Sequence, residues 1–259
     1  MDLQAITPVV ITFNEAPNIA RTLEPLRWAR RIVMVDSGST DATLEIAKCF
    51  PNVEVVYRKF DNFAGQCNFA LESTGIDTEW VLSLDADYVL DDDVVAEIAA
   101  LEPRDSDAGY AAAFTYCIDG APLRGSLYPP VTVLYRRARA RYRQDGHAHR
   151  VVVDGDVHRL RAKIRHDDRK PLGRWLSSQA SYAAQEATKL LSMAPRELGW
   201  TDRVRLVPGL APVAATIYAG LVRGCVLDGK PGLAYIGQRA IAESILMLEI
   251  LQRRAAQKQ

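Results

Sequence analysis

Two aspartates one residue apart follow a strongly apolar stretch of the chain. Residues 80–84 read WVLSL and lead directly into Asp85, Ala86 and Asp87. Crowded carboxylates repel one another, and a bound cation is one way to remove that repulsion. Mg²⁺ and Mn²⁺ prefer oxygen ligands and commonly bind through one or two carboxylates together with substrate phosphates. The pair therefore predicts a divalent-cation site, with a kink or turn that lets one carboxylate bind the cation while the other contacts ribose or a metal-bound water.

Polar residues also follow the other apolar stretches of the first half of the chain. In open parallel sheets, ligands bind beyond the carboxyl ends of the strands. Any one of these clusters could simply cap a helix, but together they indicate a binding site at one edge of a sheet. The candidate residues are Thr12, Asn14 and Glu15, then Asp36, Ser37 and Gly38, then Gln66 and Asn68.

The elements that must position these residues alternate between strands and helices. Runs rich in β-branched residues predict strands at 7–13, 31–37, 53–59 and 79–87, and helical spacing predicts helices at 14–28, 41–50 and 67–74. This alternation predicts an α/β fold with a parallel sheet. The pattern then changes to antiparallel or mixed strands, including a strand pair at 153–166, and becomes strongly helical after Pro171.

Composition excludes some classes of function. The chain has 259 residues with 32 Lys and Arg against 32 Asp and Glu, and a nucleic-acid binder would need a basic excess. The four cysteines are scattered without metal-ligand spacing, so they are expected to be reduced thiols in a cytosolic protein. The first residues lack the pattern of a signal peptide. We expect no nucleic-acid partner and a cytoplasmic location.

The order of the motifs resembles a known enzyme family. TFNE (12–15), DSGSTD (36–41), an asparagine-bearing helix and LDAD (84–87) are similar to the motifs of glycosyltransferase family 2, which has the GT-A fold. The resemblance covers roughly residues 7–170, and residues 223–240 resemble the tail of the bacterial lipopolysaccharide-core β-glucosyltransferase branch. It implies a GT-A domain at 1–170, with a nucleotide-binding half (1–115) and an antiparallel acceptor-side half (116–170). A Rossmann-like mixed sheet would be followed by a helical C-terminal region at 171–259.

The resemblance also implies roles for individual residues. Asp36 would accept the N3–H of uracil, Asp85 would contact the ribose or the metal, and Asp87 would bind the Mg²⁺ or Mn²⁺ that bridges the diphosphate. His166 could complete the cation's ligands, while Arg169 and Lys170 could hold the diphosphate. The remaining residues expected near the nucleotide sugar are Thr12, Asn14, Glu15, Ser37, Gly38, Gln66, Asn68 and Ala86.

The catalytic base is where the sequence departs from the family pattern. This branch places a His-Glu pair after the antiparallel strands, but here Arg150 follows His149. Asp145 or His147 in the same turn could accept the acceptor's proton, or the segment could be a simple turn. The aspartates of HDDRK (166–170) are rivals, namely Asp167 and Asp168, unless that cluster is only a charged surface loop.

The C-terminal region has two interpretations. Residues 206–222 are uncharged, and the stretch after them has apolar residues at helical spacing and ends in basic residues. Segment 204–251 could therefore lie on the inner face of the cytoplasmic membrane, or the helices could pack on their own core.

These observations together predict an enzyme. We expect an inverting, metal-dependent glycosyltransferase that moves a sugar from a nucleotide sugar, with UDP as the first choice, to a hydroxyl of an envelope glycan or glycolipid. Inversion follows from the resemblance alone. The alternatives are a nucleotidyltransferase, although the loop after the first strand lacks a glycine-rich triphosphate site, and a non-catalytic nucleotide-sugar-binding protein.

Overall fold

Four parallel strands form one half of the main sheet. The structure is a computed structural model that describes residues 1–146 and 148–256, without the side chains of residues 148 and 149. The parallel strands are β1 (Ile6–Thr12), β2 (Ile32–Asp36), β3 (Val53–Tyr57) and β4 (Trp80–Asp85), arranged in the order β3-β2-β1-β4. Their β-branched and apolar residues suit a sheet that is covered on both faces.

Alternate residues of these strands enter two separate cores. Val10, Met34 and Leu82 pack in one cluster with apolar side chains of α1 (Ile19–Leu23), α2 (Thr43–Ala47) and α4 (Asp92–Ala100). Val9 and Val33 pack in the other cluster with α3 (Phe63–Ser73). Successive strand residues point to opposite faces. The sheet is therefore the middle layer between helices, as the alternating pattern predicted.

The first helix is shorter than its sequence pattern suggests. The prediction of a helix over 14–28 is wrong, because only Ile19–Leu23 is α-helical and a 3₁₀ turn follows at Glu24–Leu26. Asn14 has φ 56°, which lies outside the right-handed helical region. Pro25 has no N–H to donate to a preceding helical carbonyl. Asn14 therefore lies outside the helix on its N-terminal side, and Pro25 limits its extension on the C-terminal side.

The second half of the sheet is mixed. Beyond β4 the order continues β8 (Val131–Arg136), β6 (Asp107–Ile118), β11 (Asp156–His166) and β5 (Tyr88–Val89). Strand β8 is antiparallel to β4 and β6, β11 is parallel to β6, and β5 is antiparallel to β11. Strands β9 (Ala140–Asp145) and β10 (Ala148–Val153) form a separate pair, and β7 (Ala121–Pro122) is a short strand. The predicted strand pair over 153–166 is wrong, because one continuous strand occupies 156–166.

The C-terminal helical region is present as expected. It contains α5 (Leu172–Ser192), α6 (Trp200–Arg205), α7 (Leu210–Ile217) and α8 (Gly229–Ala256), with a π-helical turn at Tyr218–Val222 and a 3₁₀ turn at Cys225–Asp228. Buried residues of α5 and α8 form its small core. In the part of the chain that the structure describes, no single helix has the length and apolarity to cross a membrane. Residues 210–222 and 225–256, bent by 66°, meet those criteria only as a pair.

The chain is divided into two compact units. The first contains residues 1–120, 128–144 and 149–169, and the second contains 121–127, 145–148 and 170–259. Within the second unit, the segment 121–127 is fastened to the start of α8. Arg124 Nε donates to Asp228 at 2.9 Å, and the backbone N–H of Leu127 donates to Tyr235 Oη at 2.7 Å. Asp228 and Tyr235 therefore anchor this segment.

Candidate active site

The register of the parallel strands gathers the predicted residues at one edge of the sheet. Thr12 lies opposite Asp36, and Ile11 lies opposite Asp85. Each of these pairs stands at or next to the carboxyl end of its strands. The first unit therefore collects the polar ends of β1, β2 and β4, as the sequence predicted.

A two-residue turn contains the second of the paired aspartates. Strand β4 ends at Asp85, Ala86 and Asp87 form the turn, and β5 begins at Tyr88. The carbonyl of Ala86 accepts a hydrogen bond from Thr22 Oγ1 at 2.6 Å, and both residues are buried. Sequence reasoning predicted the turn but missed Thr22, which fixes it from α1.

The end of β11 brings His166 beside Asp87. Tyr88 pairs with His166 across the antiparallel β5–β11 contact, and the N–H of Asp167 donates to the carbonyl of Asp87 at 3.0 Å. His166 Nε2 lies 3.3 Å from Asp87 Oδ2, with both side chains about seven-eighths buried at 12% and 13% exposure. The backbone pairing thus places an imidazole and a carboxylate side by side.

These residues fit a divalent cation that also binds a substrate phosphate. Two cis ligands of an octahedral ion with bonds of about 2.1 Å lie roughly 3.0 Å apart, close to the observed Asp87–His166 separation. Among the described residues, the buried Nδ1 of His166 has no hydrogen-bond partner. No three His, Cys, Asp or Glu side chains converge within residues 1–146 and 148–256 to hold a metal unaided. Mg²⁺ sites commonly use few protein ligands, with phosphate and water completing the shell.

The electrostatics of His166 reflect its acidic surroundings. Burial lowers the pKa of His166, but the carboxylates of Asp87, Asp85 and Asp168 more than offset it, so the pKa lies above its ordinary value. Without a cation, the imidazole is thus biased toward its protonated form. A bound cation would replace that proton's charge.

Four aromatic rings surround His166, and sequence reasoning missed them. The ring centroids of Tyr128 and Tyr116 lie 4.5 Å and 4.7 Å from that of His166, and those of Tyr88 and Phe114 lie 5.3 Å and 6.4 Å away. The hydroxyls of Tyr88 and Tyr128 are 2.5 Å apart. Burial, followed by the negative charge of Asp85, holds the pKa of both tyrosines well above the ordinary value. Both phenols therefore stay neutral beside the acidic turn.

The predicted nucleotide residues after β1 and β2 form an ordered double loop. Asn14 Oδ1 accepts from the N–H of Thr40 at 2.7 Å, which ties one loop to the other. Asp36 is buried, and its Oδ1 accepts from the N–H groups of Gly38 and Ser39 at 2.9 Å each. Gly38 has φ 97°, a conformation that favours glycine. Asp36 therefore shapes the loop in addition to its predicted contact with the base.

The amides after β3 also have structural partners. Gln66 is fully buried and its Nε2 donates to Ser37 Oγ at 2.6 Å. Asn68 donates to the carbonyl of Tyr142 at 3.0 Å and accepts from its N–H at 2.8 Å. Gln66 thus supports the loop after β2, whereas Asn68 joins α3 to β9. Its predicted position beside the sugar remains a prediction.

The two adjacent aspartates after β11 have different surroundings. Asp167 is buried, and its carboxylate accepts from Arg21 at 2.6 Å, Arg169 at 2.9 Å and the N–H of Gly120 at 3.0 Å. Arg169, predicted to hold the diphosphate, is thus bonded to Asp167. Two guanidinium groups and a backbone N–H therefore occupy the Asp167 carboxylate.

Asp168 is connected to the β1 loop. Asn18 Nδ2 donates to Asp168 Oδ1 at 2.9 Å and to Glu15 Oε2 at 2.9 Å. The same amide thus links the predicted nucleotide residue Glu15 to a predicted base. Lys170 belongs to the second unit.

The predicted residues of the β9–β10 turn belong partly to the second unit. Asp145 forms an ion pair with Lys189 of α5 at 2.6 Å. This ion pair ties the Asp145 carboxylate to α5. The candidate base His147 lies outside the described residues, as does the side chain of His149.

Two curated relatives share part of their sequence with this chain. It is similar to the lipopolysaccharide core biosynthesis glycosyltransferase LpsC of Rhizobium meliloti (strain 1021), with 27% identity over 59% of this chain and 58% of the relative. It is also similar to the SPbeta prophage-derived glycosyltransferase SunS of Bacillus subtilis (strain 168), with 35% identity over 38% of this chain and 24% of that protein. The alignments thus span less than two thirds of either relative's length.

A solved structure shows the same fold. The mannosyltransferase PcManGT from Pyrobaculum calidifontis, in complex with GDP-Man and Mn²⁺, superposes with a TM-score of 0.56 over 96% of this chain and 88% of its own, at 16% identity. This likeness confirms the predicted GT-A type of mixed α/β fold. A sequence model of glycosyl transferase family 2 matches residues 7–157, more than half of the chain. The chain belongs to glycosyl transferase family 2.

Proposed function

We propose that the chain is an inverting hexosyltransferase that uses a UDP-sugar and a divalent cation. The observation that carries this proposal is the Asp87–His166 pair at 3.3 Å, held at the carboxyl edge of the sheet by the β5–β11 contact. Asp85, at the end of the neighbouring strand β4, would contact the ribose or the same cation. When bound, the cation would neutralise the charge that develops on the departing diphosphate.

Asp168 is our choice for the catalytic base. Asp167 is buried between two guanidinium groups, and Asp145 is paired with Lys189. Asp168 follows His166 by two residues, and its carboxylate accepts from the same Asn18 amide that donates to Glu15. Asp168 would accept the proton of the acceptor hydroxyl as its oxygen attacks the anomeric carbon from the face opposite the leaving diphosphate.

The acceptor is proposed to be a hydroxyl of an envelope glycan or glycolipid. The relative LpsC is named for lipopolysaccharide core biosynthesis, which supports this class of acceptor. We further propose a GT-A domain at 1–170, a helical region at 171–259, and action at the inner face of the cytoplasmic membrane.

The presence of His166 in the proposed site predicts which divalent cation the enzyme prefers. Imidazole is a better ligand for transition-metal ions than for Mg²⁺, which prefers oxygen. We therefore expect Mn²⁺ to support a higher rate than Mg²⁺ at equal concentration. Replacing His166 by Ala should reduce that difference and raise the Mn²⁺ concentration needed for half-maximal activity.

The proposal is tested by nucleotide release from a panel of UDP- and GDP-sugars with lipid-linked glycan acceptors. Asp87→Asn should lower Mn²⁺-dependent turnover at least about a hundredfold, since cation stabilisation of the leaving group is worth several kcal/mol. The matched control Asp92→Asn changes an exposed acidic residue in the first turn of α4 and should leave turnover unchanged. Equal turnover in wild type and Asp87→Asn would remove Asp87 from the metal site. Binding without turnover would favour a nucleotide-sugar-binding protein, and pyrophosphate release from a nucleoside triphosphate would favour a nucleotidyltransferase.

A further inference from the structure

A group of large apolar side chains in the second unit is exposed. We call it the apolar tip and define it by Val213, Ile217, Leu221, Val222, Leu227 and Leu233, whose exposed fractions lie between 52% and 71%. These residues come from α7, the two turns that follow it and the start of α8. Contiguous exposed apolar surface of this kind marks an interaction site.

In α7 and the π-helical turn, small residues are buried and large apolar residues are exposed, whereas the start of α8 buries Tyr235 as well as a glycine. The buried residues of α7 and the π-helical turn are Ala211, Ala219 and Gly220. At the start of α8 the buried Gly232 lies so close to the Cys225 carbonyl that any side chain would overlap it. Helices of water-soluble domains bury their large apolar residues, whereas helices in lipid pack through small residues and turn large ones outward. This arrangement favours lipid as the covering partner.

The charges around the apolar tip select an anionic surface. Asp228 is the only acidic residue between positions 203 and 242, and its side chain is 9% exposed and bonded to Arg124. Arg203, Arg223 and Lys230 are exposed in the same stretch. An isologous contact with a second copy would bring these like charges together, because each copy presents the same patch. Basic residues beside exposed apolar side chains match the anionic headgroups and acyl boundary of a bilayer.

We propose that the apolar tip inserts into the interface of an anionic lipid bilayer and anchors the chain there. Leu221 and Leu227 enter the acyl boundary, and Lys230 remains at the headgroup level. This anchoring is independent of glycosyl transfer, since it requires neither donor sugar nor cation. If the proposed reaction is not observed, vesicle binding should still be observed. If vesicle binding is not observed, the reaction should still be observed.

The test is co-flotation of the full chain with phosphatidylcholine vesicles that contain or lack phosphatidylglycerol. The wild type should float with the anionic vesicles. Leu221→Glu and Leu227→Glu should each weaken partitioning about tenfold, because each removes an apolar side chain from the acyl boundary. Lys230→Gln should weaken it about fivefold, and only on anionic vesicles. The matched control Leu172→Glu changes a leucine that is 62% exposed on α5 and should partition like the wild type.

Sedimentation equilibrium without lipid tests the competing occupant. A monomer that floats with anionic vesicles and loses this ability in Leu221→Glu supports the proposal. A dimer that Leu221→Glu dissociates, together with no flotation of the wild type, would overturn it in favour of a second copy. Equal loss of flotation in Leu172→Glu and Leu221→Glu would overturn it as well, because the effect would then reflect added negative charge alone.

Discussion

Replacing Asp167 by Asn should destabilise the protein, whereas replacing its neighbour Asp168 should mainly impair the reaction. The Asp167 carboxylate is 7% exposed and accepts from Arg21, Arg169 and the N–H of Gly120. Asparagine keeps one acceptor oxygen but turns an NH₂ group toward these donors, and it removes the charge that two guanidinium groups share. This leaves two cations without their common partner.

The size of the effect follows from the burial of the partners. Removing one member of a buried ion pair costs about 3–5 kcal/mol. The Arg21 and Arg169 side chains are 27% and 43% exposed, so water recovers part of that loss. We expect about 2–3 kcal/mol, after discounting for this solvation. For a domain of this size that corresponds to a fall in Tm of roughly 4–12 °C.

The assay pairs thermal unfolding with nucleotide release for both variants. Asp168→Asn keeps the oxygen that accepts from Asn18, so its Tm should fall by less than that of Asp167→Asn. Its turnover should fall at least about a hundredfold. If Asp167→Asn unfolds at the wild-type temperature and loses the activity instead, then Asp167 is the base and the assignment of the two residues is reversed.

Three further substitutions, each with thermal denaturation as its assay, test a buried hydrogen bond, a close backbone contact and an ionic interaction. Thr22→Val leaves the buried Ala86 carbonyl without its donor and should cost about 1–3 kcal/mol, whereas Thr22→Ser keeps the hydroxyl and should cost less; equal losses would contradict this role. Gly232→Ala should destabilise by about 1–3 kcal/mol through overlap with Cys225, while Gly237→Ala, with open space around it, should be neutral or stabilising; a tolerated Gly232→Ala would refute the close approach. The N–H of Arg104 and the imidazole of His158 hold the pKa of Asp107 well below its usual value, so its stabilisation is full above about pH 4 and is lost as the pH falls further. The penalty of Asp107→Asn should therefore shrink below that pH, and a constant penalty would argue against the ionic origin.

The positions of the strand ends could be predicted because the signal for them is local. An apolar run that stops at a polar cluster, as at Thr12, Asp36 and Asp85, marks the end of a strand in any parallel sheet. The turn at Ala86 followed from the chemistry of two crowded carboxylates. Such features depend on a few neighbouring residues, so they can be predicted from the sequence without knowledge of the fold.

The roles of the residues after β11 could not be predicted in the same way. Asp167 and Asp168 are adjacent in the sequence and have the same side chain. Only their contacts in the folded protein distinguish Asp167, a member of a buried ion pair, from Asp168, the candidate base. Arg21 reaches Asp167 and Asn18 reaches Asp168, and both lie far away along the chain. Likewise, Tyr128 contacts His166 from a loop that is distant in the sequence. The sequence pattern around Tyr128 does not indicate that contact.

The contact between β5 and the last residues of β11 has a consequence for the order of folding. Asp87 leaves the ribosome well before His166, and only the long-range strand pairing brings them together. Pairings between distant segments form slowly, because a long loop must close before they gain any stabilisation. An unfinished polypeptide would present the acidic turn without its imidazole neighbour, so the proposed cation site would be completed only late in synthesis.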